Sequence, residues 1–268
     1  MSEPRLQDLL AVATEAAYLG GRRTLAYFNT NVAVEFKRDN TPVTRADREA
    51  EQVVREHIAR YFADHTIIGE EQGEAKGHPD YRWIIDPLDG TKTFVQGVPL
   101  YGTLIGLEVR GAPVVGVVYM PALDEMVAAS KGMGCRWNGR PARVSTVDRL
   151  EDAAVMVTNT TAAMKRSDAY ERLAAMTRLQ RTWGDCYGYV LVATGRAEVM
   201  LDPAMNPWDC GPLLTILTEA GGHFNTWTGR ATIWGKDAVA TNAALHEPVM
   251  KILKAETPKA QGQGLVPG

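Results

Sequence analysis

The chain has 268 residues, 45 % hydrophobic and 23 % charged, with 25 glycines and 14 prolines, a near-average composition that excludes disorder and collagen-like architecture. Lys plus Arg number 29 against 32 Asp plus Glu, a net charge of −3. No broad positive field therefore draws nucleic acid or an anionic membrane, and any anionic ligand has to be held locally. Cys135, Cys186 and Cys210 lack CxxC spacing and read as reduced, mostly buried thiols rather than a disulfide framework or zinc site. The opening MSEPRLQDLLAVATEAAYLGG is too acidic and too interrupted for a signal peptide or membrane span, which points to a cytoplasmic protein.

In chain order, Leu6, Leu9, Leu10, Ala13, Ala16 and Ala17 recur at helical spacing within residues 5–28. Thr44 followed by Asp47 opens a second amphipathic helix with Val53, Val54, Ile58 and Phe62. Short apolar runs at 66–68 and 81–85 precede YGTLIGLEV, APVVGVVYM and DEMVAAS, separated by turn signals at Arg110-Gly111 and Pro121-Ala122, which predicts a meander of hairpins. Asn138-Gly139 is a type I′ turn signal that closes this region. Beyond residue 150 a strand at AVMVT, helices near 164–180 and 185–195, a strand at AEVML and a helix over about 208–220 alternate, implying a parallel or mixed sheet with packed helices. A boundary near residue 150 is expected, with lobes at 1–150 and 151–255 in one rigid body. Residues 256–268, rich in Gly, Pro and Gln, read as a disordered tail.

The chemistry concentrates in WIIDPLDGTKTF, where an apolar strand runs into Asp86, Pro87, Leu88, Asp89, Gly90 and Thr91. Pro87 fixes φ and Gly90 permits a tight turn, so two carboxylates and the Leu88 carbonyl are held at a strand end, the oxygen set a hard divalent cation requires. In isolation the segment equally fits a solvated Asx turn. A second strand, TIIGEE, ends in Glu70 and Glu71, and PWDCGPLLTILTEAGG sets Asp209 at the start of a helix, where an Asp is ordinarily a cap. Three separate element ends that each deliver acids are the sequence form of a multi-metal site at a sheet rim. Two unit charges about 4 Å apart repel by about 4 kcal/mol at an effective dielectric near 20, so such a cluster requires cations or raised pKa values.

Other phosphate and hydrolase chemistries fail on spacing. The acids are not D-x-D, Cys135 to Arg140 is C-x4-R rather than C-x5-R, and GxxxxGK[ST], GxSxG and HExxH are absent. The histidines at 57, 65, 78, 223 and 246 show no ligand spacing.

The ordered blocks Asp47, Glu70-Glu71, Asp86-Pro87-Leu88-Asp89-Gly90-Thr91, and Trp208-Asp209 followed after eleven residues by Gly221-Gly222 resemble the signature of the inositol monophosphatase superfamily over about residues 5–254. The resemblance implies an α/β fold of the layered αβαβα sandwich type, usually a homodimer, and a Mg2+-dependent phosphomonoesterase with two to three ions per site between the lobes. It implies that Glu70, Asp86 and the Leu88 carbonyl hold one ion, that Asp86, Asp89 and Asp209 hold a second, and that a third, weaker ion leans on Glu70. It further implies that Gly90 and Thr91 bind phosphate through backbone amides, that Glu70 with Thr91 activates the attacking water, and that Asp47 holds the Thr91 hydroxyl or the third ion's waters. The substrate class is a small phosphorylated metabolite.

Within the superfamily, DGTKTFVQGVPLYGTLIGL and WGDCYGYVLVATGRAEVMLDP resemble the bacterial histidinol-phosphate phosphatase branch. Asp185 replaces a residue that is usually small in inositol monophosphatases, and an added carboxylate suits a cationic substrate. Asp185, with Asp202 seven residues before Asp209, is expected to pair with the ammonium or imidazole of histidinol phosphate, placing the enzyme in histidine biosynthesis. Asp185 also fits a plain helix cap, and Trp183 and Tyr187 fit either stacking on an imidazolium or packing. Lys37 fits either attraction of phosphate or a solvated loop lysine. Thr93 departs from the Asn many members carry. Two alternatives remain: an inositol or broad sugar monophosphatase, and a non-catalytic metal-dependent accessory protein.

Overall fold

A computed structural model of the chain describes residues 3–38 and 41–255. The elements in order are Leu6–Leu25 (α1), Val34–Phe36 (β1), Pro42–Thr44 (β2), Arg45–Tyr61 (α2), His65–Gly69 (β3), Gly73–Ala75 (β4), His78–Asp89 (β5), Thr91–Val95 (α3), Gly102–Val109 (β6), Ala112–Met120 (β7), Glu125–Ser130 (β8), Cys135–Trp137 (β9) and Arg140–Ala142 (β10). They continue with Ala154–Val157 (β11), Thr160–Arg166 (α4), Ala169–Met176 (α5), Leu179–Arg181 (β12), Asp185–Ala193 (α6), Val199–Asp202 (β13), Pro207–Cys210 (α7), Leu213–Glu219 (α8), His223–Asn225 (β14), Ala238–Thr241 (β15) and His246–Lys254 (α9). Residues 256–268 lie outside the described chain, and so does the expected tail.

Among the described residues, one sheet has the order β10-β9-β8-β7-β6-β5-β3-β4, with β3 parallel to β5 and every other neighbour antiparallel. This is the predicted meander. Its two faces separate by the two-residue period of a strand: Trp83 and Ile85 pack with Leu9, Ala13, Ala16, Val54 and Ile58 of α1 and α2, while Ile84 points to the opposite side. Thr44 caps α2 in a reciprocal capping box with Asp47. Arg110-Gly111 and Asn138-Gly139 all have positive φ, as the β6–β7 and β9–β10 turns require.

The second sheet has the order β12-β11-β13-β15-β14, parallel across β12-β11-β13 and antiparallel across β13-β15-β14, hence mixed. A middle layer containing α6 and α8 lies between the sheets, in one core cluster with Ile84, Leu104 and Val118 from the first sheet and Met156, Met200 and Ala240 from the second. Residues from both sides of position 150 thus share this core. Ala163, Leu173 and Val249 of α4, α5 and α9 cover the outer face of the second sheet, against Val155, Val199 and Val239. The layers read αβαβα.

Three readings of the sequence need correction. The helix near 164–180 is two helices and a strand, because Ser167 is extended (φ −161°, ψ −177°) and its hydroxyl accepts from the Ala169 N–H, a local bond that competes with helix continuation. The helix over 208–220 is broken at Gly211-Pro212, where proline has no N–H to continue the ladder. Strands β14 and β15 and helix α9 follow the last assigned element. The three cysteines are free and buried, and no helix among the described residues is long and apolar enough to cross a membrane.

Candidate metal centre

Asp86 and Asp89 are three apart, which on a regular strand would place them on opposite faces. The β5–β6 register shifts between them. Pro87 has no donor for the ladder, its carbonyl is taken by the Thr103 hydroxyl at 2.8 Å, and the Leu88 N–H turns back onto Asp86 Oδ1 at 3.0 Å. The irregularity re-aims the strand end, so both carboxylates face one point. Asp209 reaches that point from α7, where its Oδ2 accepts the Asn206 N–H at 2.7 Å. It is therefore a cap and a member of the cluster at once. One oxygen from each of Asp86, Asp89 and Asp209 lies within 4.8 Å of the other two.

Burial, followed by the negative charges of Glu70, Asp89 and Asp209, raises the Asp86 pKa well above the usual carboxylate range. Burial and the neighbouring Asp185 and Asp209 do the same to Asp89, and burial raises Asp209. Among the described residues no Lys, Arg or His comes within 4.0 Å of these three acids. Three converging oxygens without an ammonium or guanidinium partner are the donor set of a hard divalent cation, so the residues fit Mg2+.

Glu70 and Glu71 follow β3 beside the cluster. Glu70 stands outside the close triad: its Oε1 accepts from Lys37 Nζ at 2.8 Å, and Glu71 Oε1 accepts from the same ammonium at 2.7 Å. Lys37 is thus neither a solvated loop lysine nor free to draw in phosphate; it is paired with two acids. Burial raises Glu70, and burial brings Glu71 up to about 7.

Gly90, at φ +84°, turns the chain into the short α3. The Thr91 hydroxyl lies 3.1 Å from both Asp47 Oδ1 and the Leu88 carbonyl. Asp47 is buried behind Thr91, its other oxygen held by the Thr44 N–H and hydroxyl. A pocket of about 370 Å³ brings together Glu70, Asp86, Leu88, Asp89, Gly90, Thr91, Asp185 and Asp209. Behind it, a chamber of about 70 Å³ is lined by Asp89, Asp185, Asp202 and Asp209 among others. Of the residues singled out in the sequence, Asp47, Asp202, Glu71, Lys37, Trp183 and Tyr187 do not line the larger pocket.

Asp185 is not a cap. Gly184 occupies the cap position, while the Asp185 carboxylate accepts from the Thr93 hydroxyl at 3.2 Å and its backbone N–H donates to Thr158 Oγ1 at 2.8 Å. Asp202 is buried at the end of β13, accepts the Tyr189 hydroxyl at 2.8 Å and is pushed by burial up to about 8. Trp183 is exposed, 5.8 Å beneath the Arg181 guanidinium, and Tyr187 lies 5.7 Å from that of Arg196. Thr158 and Asn159, which line the larger pocket, escaped the sequence reading. Their signal was their place just beyond the carboxyl end of β11, where α/β sheets carry ligand sites.

The model of the inositol monophosphatase family matches residues 5–257. A histidinol-phosphatase of Chlorobaculum parvum is 43 % identical over 240 residues, 88 % of this chain and 93 % of that protein. A fructose-1,6-bisphosphatase/inositol-1-monophosphatase of Aquifex aeolicus is 31 % identical over 256 residues, covering 93 % and 96 %. The crystal structure of the extragenic suppressor protein suhB of Bartonella henselae superposes with a TM-score of 0.86 at 27 % identity, over 92 % of this chain and 99 % of that one.

Proposed function

The chain belongs to the inositol monophosphatase family and is a phosphoric monoester hydrolase, and from that footing we propose that it is a Mg2+-dependent phosphatase of histidinol phosphate. Asp86, Asp89 and Asp209 would hold Mg2+ together with Glu70 and the Leu88 carbonyl. Bound there, the metal lowers the pKa of water, neutralises phosphate charge and stabilises the leaving alkoxide. Glu70 and Thr91, with Asp47 fixing the Thr91 hydroxyl, would orient the attacking water, and the Glu70 carboxylate would take up its proton. The turn at Gly90-Thr91 receives the phosphate.

The observation that carries the substrate reading is the placement of Asp185. Its Oδ2 would sit 3.2 Å from a Cβ built on Gly90, so a second anion stands against the phosphate-binding turn. Its backbone lies at φ +49°, a left-handed conformation that costs a non-glycine residue about 1 kcal/mol, and Thr93 and Thr158 hold it there. Beyond what Mg2+ and the nearby Lys92 offset, a carboxylate so close to the phosphate favours a substrate that brings its own cation. An ammonium on the carbon chain of histidinol phosphate supplies one, and an inositol ring does not. The name of the Chlorobaculum parvum relative agrees with this choice.

Phosphate release from histidinol phosphate and inositol 1-phosphate, with Mg2+ and with chelator, tests both levels. Wild type should prefer histidinol phosphate in kcat/KM, Asp185→Ala should lose at least tenfold of that preference, and chelator should abolish release from either ester. An unchanged preference in Asp185→Ala removes its assigned role. Faster release from inositol 1-phosphate by wild type favours the reading suggested by the Aquifex aeolicus relative.

A further inference from the structure

Glu51 lies on α2 one turn beyond Asp47, fully buried, and has no place in the chemistry above. Residues four apart on a helix share a face. On this face Asp47 takes the Thr91 hydroxyl, while Glu51 takes the other half of the site: its Oε2 accepts the Glu71 N–H at 2.7 Å and its Oε1 the Gln72 N–H at 3.1 Å. Arg55, a further turn along, donates to Glu51 Oε1 at 2.7 Å and to the Gly73 carbonyl. Gly69, immediately before Glu70, is pressed against this pair, since a Cβ there would lie 2.2 Å from Glu51 Oε1 and 2.6 Å from the Arg55 guanidinium. Backbone groups of residues 71–73, just after Glu70, are therefore held by this one helix, which also packs closely against Gly69 just before it.

We propose that Glu51 is a positioning residue that sets Glu70 relative to Thr91, with α2 as the ruler between them. A carboxylate suits the task because it only accepts, and both amides it meets only donate. Charge-assisted bonds of this kind are stronger than neutral ones, and the Arg55 guanidinium compensates the buried charge. The inference rests on the reading of Glu70 as a metal ligand.

Titration calorimetry with Mg2+ alone on the metal-free full chain, alongside thermal melts, tests it without reference to turnover. Glu51→Gln replaces one acceptor with an NH2 donor facing an N–H, and should weaken Mg2+ binding about ten- to a hundredfold, the usual effect of losing a group that orients a ligand. Arg55→Gln should shift affinity in the same direction. Ile58→Val, which thins the core under the same helix, should lower Tm and leave the Mg2+ Kd unchanged. A wild-type Kd in Glu51→Gln, or an equal Kd shift in Ile58→Val, overturns the proposal. Should Glu51→Gln fail to fold, Arg55→Gln decides by the same criterion. Asp86→Asn separates the two levels. Wild-type Mg2+ binding in that variant defeats the metal reading itself, whereas lost binding there with normal binding in Glu51→Gln defeats only the role of Glu51.

Discussion

The backbone N–H of Cys186 donates to Asp89 Oδ2 at 2.5 Å, so the first turn of α6 holds a carboxylate that belongs to a strand of the other sheet. An N–H at a helix start carries part of the positive end of the helix dipole and favours the ionised acid. The contact spans 97 residues of sequence. It makes the entry into α6 a determinant of the candidate metal centre, although no side chain of that turn belongs to the triad.

Displacing this turn should therefore be felt at the metal. Gly184 precedes it, and a Cβ there would meet Thr158 Cα at 2.4 Å and Oγ1 at 2.6 Å. Gly184→Ala should weaken Mg2+ binding about tenfold or more, read by calorimetry on the metal-free chain. Undisturbed affinity would show that Asp89 keeps its place without Cys186.

The acidic cluster predicts how stability varies with pH in the absence of metal. Asp202 retains its proton up to about 8, and Asp86, Asp89 and Asp209 are also raised, whereas an unfolded carboxyl ionises near 4. The folded state then binds more protons than the unfolded state, so stability falls as pH rises through this window, by up to about 1.4 kcal/mol per pH unit for each retained proton. His57, His65 and His246, whose pKa values burial lowers from 6.5, act on the acid side of neutrality. Between pH 7 and 8.5, Tm of the chelated protein should fall, and saturating Mg2+ should flatten or reverse the slope. A chelated Tm that is level or rising over this range would contradict the raised carboxylates.

Gly106 and Gly116 are cross-strand partners on β6 and β7, and the break between α7 and α8 rests on them. A Cβ at Gly106 would lie 2.4 Å from the Gly211 carbonyl carbon, and one at Gly116 would lie 2.2 Å from the Pro212 carbonyl oxygen. Because backbone blocks backbone, neither clash is relieved by a rotamer change. Gly106→Ala should cost about 1–3 kcal/mol and, by lifting the segment that carries Asp209, weaken Mg2+ binding as well. Loss of stability with unchanged Mg2+ affinity would show that Asp209 is not held through this contact.

His65 should favour its neutral form, with its proton on Nε2, because Nδ1 accepts the Trp83 indole N–H at 3.0 Å. The ring stacks between Phe62 and Tyr81, at 4.6 and 4.3 Å, with Asp64 and His78 as the titratable groups that act on it. Burial lowers its pKa, and a bond to the neutral form lowers it further. Stability is therefore lost as pH falls below 6.5, where the unfolded chain takes up the proton first. Long-range nitrogen–proton NMR should find His65 titrating below 6.5 in wild type and closer to 6.5 in Trp83→Phe. Titration at or above 6.5 in wild type would rule out this arrangement.

Much of the molecule was legible in the sequence because its rules are local. The capping box at Thr44 and Asp47, the Asn138-Gly139 turn, the apolar run at 81–85 and the acids that follow β3 and end β5 each depend on neighbours a few residues away. The same locality explains the helix errors, since apolar spacing continues across Ser167 and Gly211-Pro212 while the backbone does not. The resemblance already groups Asp86, Asp89 and Asp209; only the tertiary structure decided how they are brought together. Asp209 joins Asp86 and Asp89 because two glycines let its segment approach the sheet, Asp185 turns to Thr93 instead of capping its own helix, and Glu51 grips a turn twenty residues away. Such contacts are set by packing distances between distant segments, which leave no period, cap or turn signature in the chain.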